Sequence, residues 1–98
     1  MTEATIRTGI LKYLNSLPEA YFEVSPPGSP TGKPDITGSL KGRYVAVEVK
    51  RPGKEAEKHQ AYVHGMLRGA GAIVFVAHSL GEAKTKLSYW LGRDMMVT

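Results

Sequence analysis

The chain contains no cysteine. That excludes disulfides and thiolate metal sites and points to a cytosolic compartment. No apolar run approaches the roughly 20 residues that a membrane-spanning helix needs, so no membrane partner is expected. The N-terminus also lacks the basic-then-apolar pattern of a secretory signal. Of the three histidines, His59 and His64 are five positions apart and share no helix face, so they make no i, i+4 zinc pair. His59 neighbours Gln60, either near a nucleic-acid partner or as a plain surface residue. With no cysteine and no supported Ser-His-Asp grouping, nucleophilic triad chemistry has nothing to stand on. Acidic residues are outnumbered: 13 Lys+Arg against 9 Asp+Glu give a formal charge of +4 and a pI near 9.5. A modest basic excess suits a polyanionic partner without demanding one.

What is present fits one domain over residues 1–98 with a modest core. No internal repeat or second domain is visible. Residues 1–17 read as a first helix, with Ile6, Ile10, Leu14 and Leu17 at helical spacing, Thr2 as N-cap and Pro18 as the stop. Glu3 lies one turn before Ile6, either reaching inward or solvated in the first turn. Residues 21–25 form a short strand. Residues 25–34 then carry four prolines and two glycines, a loop that either touches substrate or simply connects.

The most informative stretch is Gly32 to Lys50, two short strands joined at Lys41-Gly42. In the second strand Val45, Val47 and Val49 face one way, and Tyr44, Ala46, Glu48 and Lys50 the other, as in a half-buried strand. A two-residue hairpin turn at Lys41-Gly42 pairs Leu40 with Arg43 and, counting outward, Ile36 with Val47 and Asp35 with Glu48. A bulge at Gly38 would shift that register by one. Two carboxylates opposite each other, with Cβ atoms about 5 Å apart, repel by roughly 3 kcal/mol at an effective dielectric near 20. A divalent cation reverses the sign, since Mg²⁺ takes one or two carboxylates plus water and phosphate oxygens.

Arg51-Pro52-Gly53 breaks the strand, and a second helix is expected from about Lys54 to Arg68, with Ala56, Val63 and Leu67 on its stripe. Gln60 falls on the same stripe, either partnered in a cleft or at the stripe's edge. Residues 72–77 are nearly all apolar, the mark of a strand buried on both faces and parallel to its predecessor through a helical crossover. Ser79 caps a last helix over about 80–91. Met95, Met96 and Val97 read as a final strand or a subunit contact, with Trp90 a second candidate for the interface.

Glu48-Val49-Lys50 alone fits a strand end with a solvated ion pair. Joined by Pro34-Asp35 and by Gln60, it resembles the virus-type replication-repair nuclease domain of the PD-(D/E)XK superfamily. The resemblance spans residues 32–79. It rests on Gly32-Lys33-Pro34-Asp35-Ile36, on Val47-Glu48-Val49-Lys50-Arg51-Pro52, on Gln60, and on Gly69-Ala70 before an apolar strand.

The resemblance implies an α/β, restriction-endonuclease-like core, a mixed central sheet flanked by helices in the order α-β-β-β-α-β-α. It implies phosphodiester hydrolysis with Mg²⁺ or Mn²⁺ held by Asp35, Glu48 and the Val49 backbone carbonyl. Lys50 would orient or deprotonate the attacking water and stabilise developing charge, and Gln60 would align the lysine, the water or the metal shell. A first-helix acid often joins such sites, and Glu3 is the candidate. Lys33, Arg51, Lys54 and Lys58 flank the site in sequence, either as DNA-phosphate contacts or as an ordinary solvated surface; Lys41 and Arg43 sit at the far hairpin end. Stand-alone members resemble Holliday-junction resolvases, which implies a homodimer acting on branched DNA (junctions or flaps) in a bacterial or phage-infected cytoplasm. The rival expectations are an inactive DNA-binding or accessory module of the same fold, and a monomeric nicking or end-processing nuclease.

Overall fold

The computed structural model describes residues 1–97, with side chains as far as Arg93. The first helix, α1, spans Glu3–Asn15. It starts where expected because the Thr2 hydroxyl accepts the Thr5 N–H at 3.1 Å and Glu3 suits the positive helix start. Its stripe of Ile6, Ile10 and Leu14 is buried. Asn15 then ties the helix end to the first strand: its amide donates to the Phe22 carbonyl at 3.0 Å and accepts the Phe22 N–H at 2.8 Å.

Strands β1 (Ala20–Val24), β2 (Ile36–Leu40), β3 (Arg43–Val49) and β4 (Ile73–Ala77) lie side by side in that order in one sheet. β1, β2 and β3 run antiparallel, and β4 joins β3 in parallel. The β2–β3 register is the one read from the hairpin turn, Leu40 opposite Arg43 through Ile36 opposite Val47. Lys41 and Gly42 both take positive φ, 52° and 81°, which a two-residue turn between twisted strands requires. Gly38 introduces no bulge. It is instead a place where β1 leaves no room for a side chain: an added Cβ would collide with the Tyr21 carbonyl.

One sheet face carries Phe22, Ile36, Leu40, Val45, Val47, Val49, Ile73, Phe75 and Ala77. It packs on α1 and on the last helix, α3 (Leu80–Val97), through Ala83 and Leu87. Burying these side chains supplies most of the fold's stability, at about 1.5–3 kcal/mol for each fully buried large one. The second helix, α2 (Lys58–Gly69), lies against β4, where Arg68 reaches the Val74 carbonyl at 3.0 Å.

Three expectations need correction. β3 is not half-buried: every residue from Val45 to Val49 is buried, Ala46 and Glu48 included. A hairpin's alternation does not reveal that a later helix returns over its other face. α2 begins at Lys58, because Glu57 and Gln60 close a capping box there, so Ala56 lies before the helix and not on its stripe. Residues 95–97 continue α3 as helix and form no strand; their side chains lie outside those described. Trp90 packs partly buried against the core. Among the described residues no helix is long and apolar enough to cross a membrane.

Candidate active site

The site forms where the chain enters β2 and leaves β3. Ser25, just past β1, controls the entry. Its N–H donates to the Asp35 carbonyl at 2.7 Å and its hydroxyl to the Pro34 carbonyl at 2.7 Å. Gly32, at φ 87°, lets the loop lie on α2, where a Cβ would sit 2.7 Å from Val63 Cγ2 and 3.0 Å from the His59 carbonyl. Pro34 is buried. The Pro/Gly-rich loop is therefore clamped at both ends, by strand backbone and by helix.

Asp35 stands one residue before the ladder begins, so the side chain rather than the backbone closes the pairing. Its Oδ2 accepts the Val49 N–H at 2.8 Å. Next in line, Lys50 N–H donates to the Ala77 carbonyl at 3.1 Å. These two bonds fix the strand end that carries Glu48, Val49 and Lys50.

Glu48 is 2 % exposed, on the α2-covered face. The β2–β3 register continued by one residue sets its carboxyl beside that of Asp35. Burial first, then the neighbouring Asp35 carboxyl, push Glu48 up to about 8, with Glu3 adding to the push and Lys50 opposing it.

The same contributions locate two other expected residues. Lys50 is half-buried and close enough for its charge to act on Glu48. Glu3 is brought in from the far end of the sequence, its Oε2 accepting the Arg51 N–H at 3.3 Å. Gln60 differs from expectation. Its Oε1 accepts the Glu57 N–H at 2.8 Å, so its carbonyl oxygen caps the start of α2.

Sequence reading missed two residues. Ser25 carried no signal beyond its place at a strand end. His64 did: it lies four residues after Gln60, one helical turn along the same face. It is the buried residue of α2, and its Nε2 lies 3.6 Å from Glu48 Oε1. Neither atom has a hydrogen-bond partner.

Beyond Lys50 the chain turns sharply. Lys54 N–H bonds the Arg51 carbonyl at 3.1 Å around Pro52 and Gly53, the latter at φ 87°, the requirements of a type II turn. His78, after β4, holds this turn in place, its Nε2 2.7 Å from the Lys54 carbonyl and its Nδ1 2.8 Å from Glu82 Oε1. Lys33, Arg51, Lys54 and Lys58 are all exposed around this end of the sheet.

No protein-family model and no curated protein matches the sequence. Solved structures do resemble the fold. One, a VRR_NUC domain, superposes with a TM-score of 0.77 at 23% identity over 90% of this chain and 96% of that one. Another, a VRR_NUC domain protein, gives 0.77 at 18% identity over 94% and 89%. The fold is that of a VRR_NUC domain. The mixed four-stranded sheet and three helices in the order α-β-β-β-α-β-α, with these neighbours, fit the expected restriction-endonuclease-like fold.

The donor set also bears on a metal. Asp35 and Glu48 offer a pair of hard carboxylate oxygen donors at one strand end. That chemistry fits Mg²⁺ or Mn²⁺. Among the described residues no group of three or more His, Asp and Glu gathers tightly enough to hold a metal by itself. Mg²⁺ does not require one, because it keeps several waters and draws ligands from substrate phosphate.

Proposed function

We propose that the chain is a Mg²⁺- or Mn²⁺-dependent deoxyribonuclease that cuts branched DNA, junctions or flaps, as a homodimer. The observation that carries this reading is the Asp35–Glu48 carboxyl pair, set side by side by the β2–β3 register and the Asp35–Val49 bond, with Lys50 two residues on at the same strand end. A fold selected for stability alone gains nothing by burying an acid against a second acid. The nuclease-type name of the structural neighbours gives the pair a use.

In this reading Asp35, Glu48 and the Val49 carbonyl are the protein's ligands to the cation. When bound, the cation supplies a lowered water pKa and neutralises charge on the phosphoryl oxygens. The chain's own part is positional. The Val49 N–H holds Asp35, so the two acids cannot drift apart. Lys50 faces the scissile phosphate, orients the attacking water and offsets the negative charge that develops. Glu3 adds negative potential beside the β3 end, favouring a cation there. Lys33, Arg51, Lys54 and Lys58 take DNA phosphates, which makes binding salt-sensitive and largely independent of sequence. A cytoplasmic setting, where DNA is accessible, follows from that activity. The homodimer supplies two symmetric sites for a branched substrate, more duplex surface than one small domain can grip.

The test is cleavage of a panel of four-way junction, flap and linear duplex, with and without Mg²⁺. Metal-dependent cutting of the branched substrates is expected, absent in Asp35→Asn and Lys50→Ala, with sedimentation at twice the monomer mass. Cutting that survives both substitutions removes the site. DNA binding indifferent to metal, with no cutting, makes the chain a binding module.

A further inference from the structure

The one fully buried residue that α2 presents to the sheet is a histidine, where a leucine or alanine would bury apolar area without penalty. The His64 and Glu48 side chains are each 3% exposed, and their facing atoms, Nε2 and Oε1, lie 3.6 Å apart. Both atoms lack a hydrogen-bond partner. The gap is slightly too long for a hydrogen bond and far too short to admit a water between them. A small rotation of either side chain closes it. Leaving both buried groups unpaired is costly, so the pair has a standing reason to close.

Oε1 lies towards His64 and takes no other partner, which leaves the other Glu48 oxygen for the Asp35 side. With its proton on Nε2, the ring directs that N–H at Oε1.

From this geometry we propose that His64 is a positioning residue for Glu48: its Nε2–H donates to Oε1 and fixes the carboxylate so that its other oxygen is presented to Asp35 and the cation. The inference rests on the metal-dependent reading above and deepens it. Partners of ligating carboxylates set metal affinity by fixing ligand orientation, and losing one typically costs 10–100-fold.

The experiment is calorimetric titration of Mg²⁺ and Mn²⁺ into the wild type, His64→Phe and His64→Gln, with melting temperature recorded without metal. Phe fills the space with no donor; Gln places an amide N–H near the position of Nε2. Expected are a His64→Phe Kd weaker by roughly 10–100-fold and a His64→Gln Kd recovered to within about threefold of wild type. A His64→Phe protein that melts like wild type and binds metal equally well overturns the proposal, as does a Gln variant as weak as Phe. If His64→Phe does not fold, nitrogen NMR of the wild-type ring decides. A proton on Nε2, with a signal that moves on Mg²⁺ saturation, supports the proposal; an unprotonated Nε2, or a signal blind to Mg²⁺, overturns it. A wild type that binds neither metal sinks the nuclease reading itself, a result distinct from any of these.

Discussion

The Val49 N–H donates to Asp35 Oδ2 at 2.8 Å, so one of the two proposed metal-binding acids is also the last rung of the β2–β3 pairing. Structure and chemistry share a single carboxylate. They can be separated by substitution, because Asn keeps the acceptor and loses the charge.

Asp35→Asn should leave stability at or above wild type while abolishing cleavage. Asp35→Ala should abolish cleavage and also cost about 1–3 kcal/mol, the penalty of leaving the Val49 N–H unsatisfied. Denaturant unfolding of the two variants alongside a junction-cleavage assay checks both halves. Equal stability of the two variants would deny Asp35 its place in the ladder.

Glu48 sets a pH dependence in the metal-free protein. Its folded pKa, about 8, lies above the ordinary 4.5, so between those values the native state holds a proton that the unfolded chain has released. Stability from this group must therefore fall as pH rises from 4.5 to about 8 and level off above. Glu48→Gln should flatten that slope. Added Mg²⁺ should stabilise the wild type more as pH rises through the same window, since the ionised form is the ligand. Melting curves across pH with EDTA or Mg²⁺ measure both trends.

His78 gives a second titration with different limits. Both of its ring nitrogens face acceptors, Glu82 Oε1 and the Lys54 carbonyl, an arrangement that calls for the doubly protonated ring. The Glu82 bond, then the Lys54 carbonyl, raise its pKa above 6.5. Glu82 is lowered below 4.5 because its bonds from His78 and the Lys86 charge outweigh the opposing effect of burial. The stabilisation is whole between those two values. It fades as pH rises through the folded His78 pKa or falls through that of Glu82. The difference in melting temperature between wild type and His78→Ala should peak within the window, and hydrogen exchange of residues 51–57 should quicken in the variant. A difference independent of pH would contradict the latch.

Gly32→Ala should cost about 2 kcal/mol or more, combining a left-handed backbone with an overpacked contact on α2. The cost should appear as loosening of residues 25–35, and with it of Asp35. Junction cleavage should therefore drop along with stability. Unchanged stability would mean that the loop does not rest on Val63.

Much of this was legible in the sequence, for identifiable reasons. Lys41-Gly42 fixed a turn of two residues, and a turn of known length determines every pairing on both sides of it, hence Ile36 opposite Val47. The nearly unbroken apolar run of residues 72–77 carries the mark of a strand covered on both faces, and Ile73–Ala77 is a strand. Long-range consequences were not legible. Nothing in Tyr44 to Lys50 announces that α2 will cover Ala46 and Glu48. Gln60 is equally consistent with facing a cleft or folding back on Glu57, a choice decided by where the helix begins. His64 was weighed against His59, five residues away, when the relevant spacing was the four residues to Gln60. Glu3 reaches the site only because α1 packs across the sheet, which no local pattern reveals.

The most direct test is anomalous scattering from a crystal of the protein soaked in saturating Mn²⁺. The expected result is a peak in contact with the carboxylates of both Asp35 and Glu48, lost in Asp35→Asn. A Mn²⁺-saturated crystal with no peak between those two side chains, or with its only peak elsewhere on the molecule, would contradict the proposed metal site and the hydrolysis that depends on it.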